Sequence, residues 1–123
     1  MRKVISCLPV LFLLLAGCKK KTELTPATAQ QMLLHRNLGL AYLEEGKLKQ
    51  AAEEFQNLTA LAPEEPLGFA NLGLAQLRLG QLEAAEPQLQ AALELAPDHP
   101  DIRLLLAEVY ELNDKREQAL RTL

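Results

Sequence analysis

The chain has 123 residues, of which 49% are hydrophobic and only 4% aromatic. The apolar residues are mostly Leu and Ala with few β-branched residues, which favours helices over a β-sandwich or a nucleotide-binding βαβ core. The 13 basic and 16 acidic residues give a formal net charge of −3, which argues against nucleic-acid binding, and two cysteines are too few for a disulfide scaffold. The composition therefore predicts one small, all-helical domain.

The first segment has the parts of a secretory signal. A cationic start is followed by an apolar run over residues 4–15, which is too short to span a bilayer, and then by small residues. Leu15-Ala16-Gly17-Cys18 resembles the lipobox of bacterial lipoproteins. The resemblance implies a lipoprotein signal peptide over residues 1–17, acyl chains such as palmitate on Cys18, and a lipidated N-terminus and tether over residues 18–31. The alternative is ordinary secretion with an incidental cysteine.

The anchor suggests a location. Two or three acyl chains on Cys18 would hold the chain stably on a membrane. Lys19 follows the cysteine, whereas enterobacterial lipoproteins that stay at the inner membrane carry Asp there. The resemblance therefore favours a bacterial cell envelope location at the periplasmic face of the outer membrane over the inner membrane.

The rest of the chain repeats with a period of 34 residues. The sequence LGLA at residues 38–41 recurs at residues 72–75, and LAP at residues 61–63 recurs at residues 95–97. This period is typical of helix-hairpin solenoids. The recurring residues resemble the tetratricopeptide repeat pattern. The resemblance implies an all-α antiparallel helix-hairpin solenoid with two full repeats, 32–65 and 66–99, and a partial repeat, 100–123.

Turn and capping residues fit this division. Gly46 and Gly80 suit the ends of the first helices, and Pro66 and Pro100 suit the first turns of later ones. Pro87 would remove one backbone hydrogen bond and could shift or kink the start of its helix. Small residues on the two helices of each hairpin are expected to face each other where the helices cross: Gly39, Gly73 and Ala107 on the first helices, and Ala51, Ala85 and Ala119 on the second.

The resemblance also implies a functional surface, the concave groove lined by the first helix of each hairpin. The family's groove positions fall on Leu33, Arg36, Asn37, Leu40, Leu43, Leu67, Asn71, Leu74, Leu77, Arg78 and Glu108. Four of these, Leu33, Leu40, Leu67 and Leu74, form a leucine stripe with a spacing of seven residues on each helix. The leucine stripe could receive an amphipathic helix or an extended apolar peptide of a partner protein. Alternatively, residues 22–31 or further repeats cover it internally.

Other sites are disfavoured. Some family members clamp a C-terminal carboxylate in this groove, and Arg36 and Asn71 fit such a clamp, but the remaining clamp positions do not: Leu40, Leu67, Asp101 and Leu105. The histidines are interpreted as a packing residue, His35, and a turn residue, His99. The sequence therefore predicts no enzyme, no cofactor and no metal site.

Two functions remain open. The first is a lipid-anchored protein-protein interaction module, a scaffold or assembly factor that binds a helical or extended segment of an unidentified protein in its groove. The second is the N-terminal repeat stem of a longer envelope protein whose enzymatic or ligand-binding domain lies beyond Leu123. Because such arrays normally close with a polar capping helix, we expect a fragment of a longer reading frame, or an open end that another chain covers.

Overall fold

The computed structural model describes residues 23–123, and within them the chain forms six α-helices and no strand. The bounds are α1 Pro26–Glu44, α2 Leu48–Leu61, α3 Pro66–Arg78, α4 Leu82–Leu95, α5 Pro100–Leu112 and α6 Arg116–Thr122. Each helix packs mainly on its neighbours in the sequence, and α3 also contacts α5. The predicted all-α hairpin solenoid is therefore confirmed. The predicted signal peptide 1–17 and Cys18 lie outside the described residues.

A proline lies in the first turn of the first helix of each hairpin. Pro26, Pro66 and Pro100 occupy the first turns of α1, α3 and α5, where a missing N–H leaves no hydrogen bond unmade. The Thr25 hydroxyl accepts a hydrogen bond from the Thr28 N–H at 3.1 Å, which caps α1. The first helix thus begins within the predicted 18–31 tether, because this cap and proline start it at residue 26. Residues 26–31 belong to α1.

The turns inside the hairpins share one geometry. Gly46 and Gly80 have φ of 72° and 77°, and Asp114 takes the same left-handed conformation with φ of 58°. In each turn, the next residue's N–H donates to the carbonyl five residues earlier, as from Lys47 to Tyr42 at 2.8 Å. This pairing satisfies a carbonyl that the helix end leaves free. Each turn therefore reverses the chain, so that α1 packs on α2, α3 on α4 and α5 on α6.

Pro87 lies inside α4 without displacing its start. The helix has 14 residues, as does α2, and it begins at Leu82, one repeat period after Leu48. The expected shift is therefore absent, although the Pro87 nitrogen still cannot donate a hydrogen bond. The last helix, α6, has seven residues.

The core lies between the helices and is apolar throughout. Phe55 and Leu58 of α2 pack with Leu72 and Ala75 of α3, which joins the first hairpin to the second. A larger cluster joins the second hairpin to the third, and it contains Leu77, Ala85, Leu89, Leu106, Ala107, Val109, Tyr110 and Ala119. No polar or charged residue of the described part is buried. This continuous seam fixes the first helices α1, α3 and α5 in successive positions.

Candidate functional site

The leucine stripe reaches solvent on α1 and α3. Leu33 is 53% exposed, Leu40 is 39% exposed and Leu67 is 47% exposed, whereas Leu74 is half-buried. Residues seven apart lie two turns apart on the same face of a helix, so each pair forms a row along its helix. The stripe is thus an accessible apolar surface on two successive first helices.

Two predicted groove residues point elsewhere. Leu77 is buried in the core cluster with Ala85 and Leu89, and Leu43 is half-buried against the cluster that contains Phe55. Each lies one turn after a glycine that packs on the second helix of its hairpin, so each continues that packed face. Leu77 is therefore a core residue, and the prediction that it lines the groove is wrong.

The polar groove residues are not equally available. Arg36 forms an ion pair through Nη2 with Oε1 of Glu65, the residue that precedes α3. The other carboxylate oxygen of Glu65, Oε2, is buried with no hydrogen-bond partner among the described residues. Asn37 and Arg78 are exposed and Asn71 is half-buried. The structure therefore uses Arg36 to join the first and second hairpins.

The groove changes character at the third hairpin. Glu108 is exposed on α5, and so are Asp101 and Glu111 at other groove positions of the same helix. Leu104, which is 62% exposed, lies one turn from both Asp101 and Glu108. The first helices therefore present leucines on α1 and α3, and both carboxylates and leucines, Leu104 and Leu112, on α5.

Residues 26–31 do not fold back over the leucine stripe. Those residues extend α1 by more than a turn beyond the lengths of α3 and α5, and Leu33 and Leu34 are each 53% exposed. The alternative in which this stretch covers the leucine stripe is therefore wrong for residues 26–31, because Thr25 and Pro26 start α1 at residue 26.

The structure also shows residues that the sequence did not single out. Glu65 was missed because it lies 29 residues from Arg36, and one sequence gives no signal for such a pair. A depression of about 830 Å³ between α4, α5 and α6 contains none of the predicted groove residues, and its lining includes Leu93, Leu106, Tyr110 and Leu123. The leucine stripe and this depression are separate surfaces.

The histidines have structural surroundings. His35 Nδ1 lies 2.6 Å from Glu54 Oε2, which links α1 to α2, and His99 precedes α5 as its N-terminal capping residue. Across residues 23–123, no three His, Cys, Asp or Glu side chains cluster as a metal site would require. None of the helices in that range combines the length and apolar character needed to cross a membrane.

Comparison with known families agrees with this geometry. A family model described as TPR repeat matches residues 39–80, and a second, described as Tetratricopeptide repeat, matches residues 76–123. The two matches together span both complete turns between hairpins. A search of curated protein sequences finds no match.

Solved structures share the fold. The complex of the TPR2B domain of yeast Sti1 with pHsp70 is 20% identical, with a TM-score of 0.74 over 76% of this chain and 74% of that one. The second TPR of Spaghetti (RPAP3), bound to the HSP90 peptide SRMEEVD, is 22% identical, with a TM-score of 0.74 over 80% of this chain and 93% of that one.

A structure of MamA (MSR-1, C2) is 26% identical, with a TM-score of 0.69 over 78% of this chain. This chain spans 56% of the length of that MamA chain. The helix-hairpin architecture and the two family matches lead to one conclusion: residues 39–123 consist of tetratricopeptide repeats.

Proposed function

We propose that this protein is a lipid-anchored interaction module of the bacterial envelope, which holds a helical or extended segment of a partner protein on its leucine stripe. The observation that carries the proposal is the exposure of Leu33, Leu40 and Leu67 on one face of successive first helices. Apolar side chains gathered on one solvent-facing surface are characteristic of binding sites. The role is binding or scaffolding, without catalysis.

Peptide complexes of similar structures support this proposal. Spaghetti binds an HSP90 peptide through the same architecture, and the yeast domain is in complex with pHsp70. The bound sequence SRMEEVD is acidic, however, and of the two arginines at groove positions Arg36 is paired with Glu65, which leaves Arg78 alone outside the ion pairs of residues 23–123. The partner segment is therefore expected to differ from an acidic tail.

Site-specific crosslinking tests the groove. A photoreactive amino acid at Asn37, which lies between Leu33 and Leu40 on α1, should form an adduct with the partner in the native envelope. The same group at Gln56, exposed on the second helix α2, should not. Equal adducts at both positions would remove the groove from the proposal.

A pair of matched variants separates binding from folding. Leu40→Asp with Leu67→Asp should abolish the Asn37 adduct, because two charges would enter the apolar surface. Leu95→Asp with Leu120→Asp makes the same chemical change at leucines that are 41% and 69% exposed on second helices, and it should leave the adduct intact. Circular dichroism should show equal helicity in both variants. Loss of the adduct in both would mean that charge itself, rather than the groove, causes the effect.

Lipid attachment is tested separately. Cys18→Ser should abolish incorporation of labelled palmitate and move the protein from the membrane fraction to the soluble fraction, since the thiol is the proposed attachment atom. Separation of inner and outer membranes should place the unaltered protein in the outer membrane. Palmitate labelling that persists in the variant would contradict lipidation at Cys18.

A further inference from the structure

The residue types that line the groove change along the solenoid from α1 to α5. Residues 34 apart occupy equivalent positions on α1, α3 and α5, so they form rows across the groove. In three such rows, leucine on the first two helices is replaced by an acidic residue on the third: Leu33, Leu67 and Asp101; Leu40, Leu74 and Glu108; Leu43, Leu77 and Glu111. The acidic residues of these rows therefore all lie on α5, which forms an acidic half of the surface although Leu104 and Leu112 are also exposed there.

Burial shows which members of these rows a ligand could touch. In the first two rows the leucines are exposed or half-buried, whereas Leu43 and Leu77 pack towards the core. All three acidic residues are exposed. A ligand could therefore contact two leucine rows and the carboxylates of Asp101 and Glu108, with Leu104 between them as a further apolar contact. Glu111 is in the row whose leucines turn towards the core, and it lies near Asp114 and Arg116 at the turn between α5 and α6.

These carboxylates carry uncompensated charge. Six ion pairs occur among residues 23–123, and none contains Asp101, Glu108 or Glu111. The same range holds 16 acidic and 8 basic residues, so the surrounding field is also negative. Opposite charge on a ligand would gain attraction here, and like charge would be repelled.

We propose that the groove selects an amphipathic helical segment of a partner protein, with apolar residues that pack on the leucine stripe and Lys or Arg residues that meet Asp101 and Glu108. This inference rests on the proposed function and specifies the chemistry of the partner. With helices about 10 Å apart, the distance from α1 to α5 is about 20 Å, which a helix of about 13 residues spans.

Labelled model peptides of about 16 residues test the inference on the full-length protein in non-ionic detergent. The first peptide has a leucine face and three lysines towards one end, and the second has glutamates in place of those lysines. The lysine peptide should bind at least about tenfold more tightly, and its affinity should fall as salt is raised. Equal affinity for the two peptides, or no binding of the lysine peptide, would overturn the inference.

Charge-reversal variants assign the effect to α5. Asp101→Lys with Glu108→Lys should weaken binding of the lysine peptide by about tenfold and strengthen binding of the glutamate peptide. The control, Glu53→Lys with Glu83→Lys, changes the net charge equally at exposed residues on second helices and should leave the preference unchanged. An equal change in both variants would show that overall charge decides, which contradicts a specific acidic half.

The outcomes distinguish this inference from the proposed function. If both peptides bind equally and Leu40→Asp with Leu67→Asp abolishes both, the groove binds peptides but the charge selection is wrong. If neither peptide binds while the Asn37 adduct persists, the partner has another chemistry. If sedimentation shows a dimer that Leu40→Asp with Leu67→Asp dissociates, the occupant is a second copy of this chain, and the inference is overturned.

Discussion

Gly39 and Gly73 leave no room for a side chain, because each lies where the two helices of a hairpin cross. A Cβ built on Gly39 would lie 2.6 Å from Phe55 Cε1, and one on Gly73 would lie 2.6 Å from Leu89 Cγ. Both distances are shorter than a carbon-carbon contact permits. A methyl group at either position therefore requires the Phe55 or Leu89 side chain, or the helix that carries it, to shift.

Gly39→Ala should lower the free energy of unfolding by about 1–3 kcal/mol, the usual cost of overpacking a filled core. The gain in helix propensity of about 0.5–1 kcal/mol opposes this loss and is expected to be the smaller effect, since the Phe55 ring is fully buried in a packed cluster. Urea denaturation followed by circular dichroism measures the change. An unchanged midpoint would show that the ring can give way.

Gly68→Ala provides the opposite case on α3. Its Cβ would meet Thr59 Cγ2 at 3.4 Å and Leu58 Cγ at 3.5 Å, which are ordinary contacts. The substitution should raise the free energy of unfolding by about 0.5–1 kcal/mol, because alanine is the better helix former and the space is open. The same denaturation series measures it, and a loss of stability would indicate that α2 and α3 are packed more tightly than these distances imply.

The sequence predicted these close approaches but not their partners. A small residue recurs every 34 positions, which indicates a crossing, yet the expected facing residue of Gly39 was Ala51, whereas the contact is with Phe55. Both are on α2, one turn apart, and both are buried. Repeat spacing shows that two helices cross. Which residue of the second helix contacts the glycine depends on side-chain packing, which cannot be read from one sequence.

Among the helix-helix connections, the one between the second and third hairpins has the densest polar contacts. Lys115, which precedes α6, donates to Glu86 Oε2 of α4 at 2.9 Å, and Gln90 Nε2 of α4 donates to the Tyr110 hydroxyl of α5 at 2.9 Å. The Lys115 ammonium also lies 5.9 Å from the centre of the Tyr110 ring. These contacts tie α4 to both helices of the third hairpin.

A double-mutant cycle on Glu86→Ala and Lys115→Ala should give a coupling free energy of about 0.5–1 kcal/mol, because the carboxylate is largely shielded from solvent. The control cycle is Glu117→Ala with Arg121→Ala, a pair at 3.6 Å whose side chains are 89% and 78% exposed. Its coupling should be close to zero. Equal couplings in the two cycles, measured by urea denaturation, would contradict a structural role for the Glu86 pair.

Helix boundaries were predictable where proline or glycine sets them. Pro66, Pro100, Gly46 and Gly80 act locally, and the structure uses each of them as expected. The start of α1 was not predicted, because the repeat period gave no weight to Thr25 and Pro26, which lie outside the repeated positions. The burial of Leu77 was also not predicted, since the family's groove positions do not show how far a side chain is turned towards the core.

Over the whole molecule, packing is nearly one-dimensional, because each helix contacts mainly those next to it in the chain. The core seam and the leucine stripe therefore lie on different faces of the same first helices. For this reason the charge reversals on α5 and the aspartates on α1 and α3 should change binding with little effect on folding. The period of 34 residues predicted the architecture, but only the structure shows that Leu33, Leu40 and Leu67 are not covered by other residues of 23–123.

This arrangement predicts unequal stability along the chain. Helices α3 and α4 have packed neighbours on both sides, whereas α6 lies at the end of the described helices and packs mainly on α5. Amide hydrogen exchange on the full-length protein should be slowest in α3 and α4, and fastest in α6 and in residues 26–31 of α1, because local opening there breaks the fewest packed contacts. Leu89→Ala removes a fully buried side chain at the centre and should accelerate exchange in both α3 and α4. Uniform exchange across all six helices would show instead that the hairpins unfold only as a single unit.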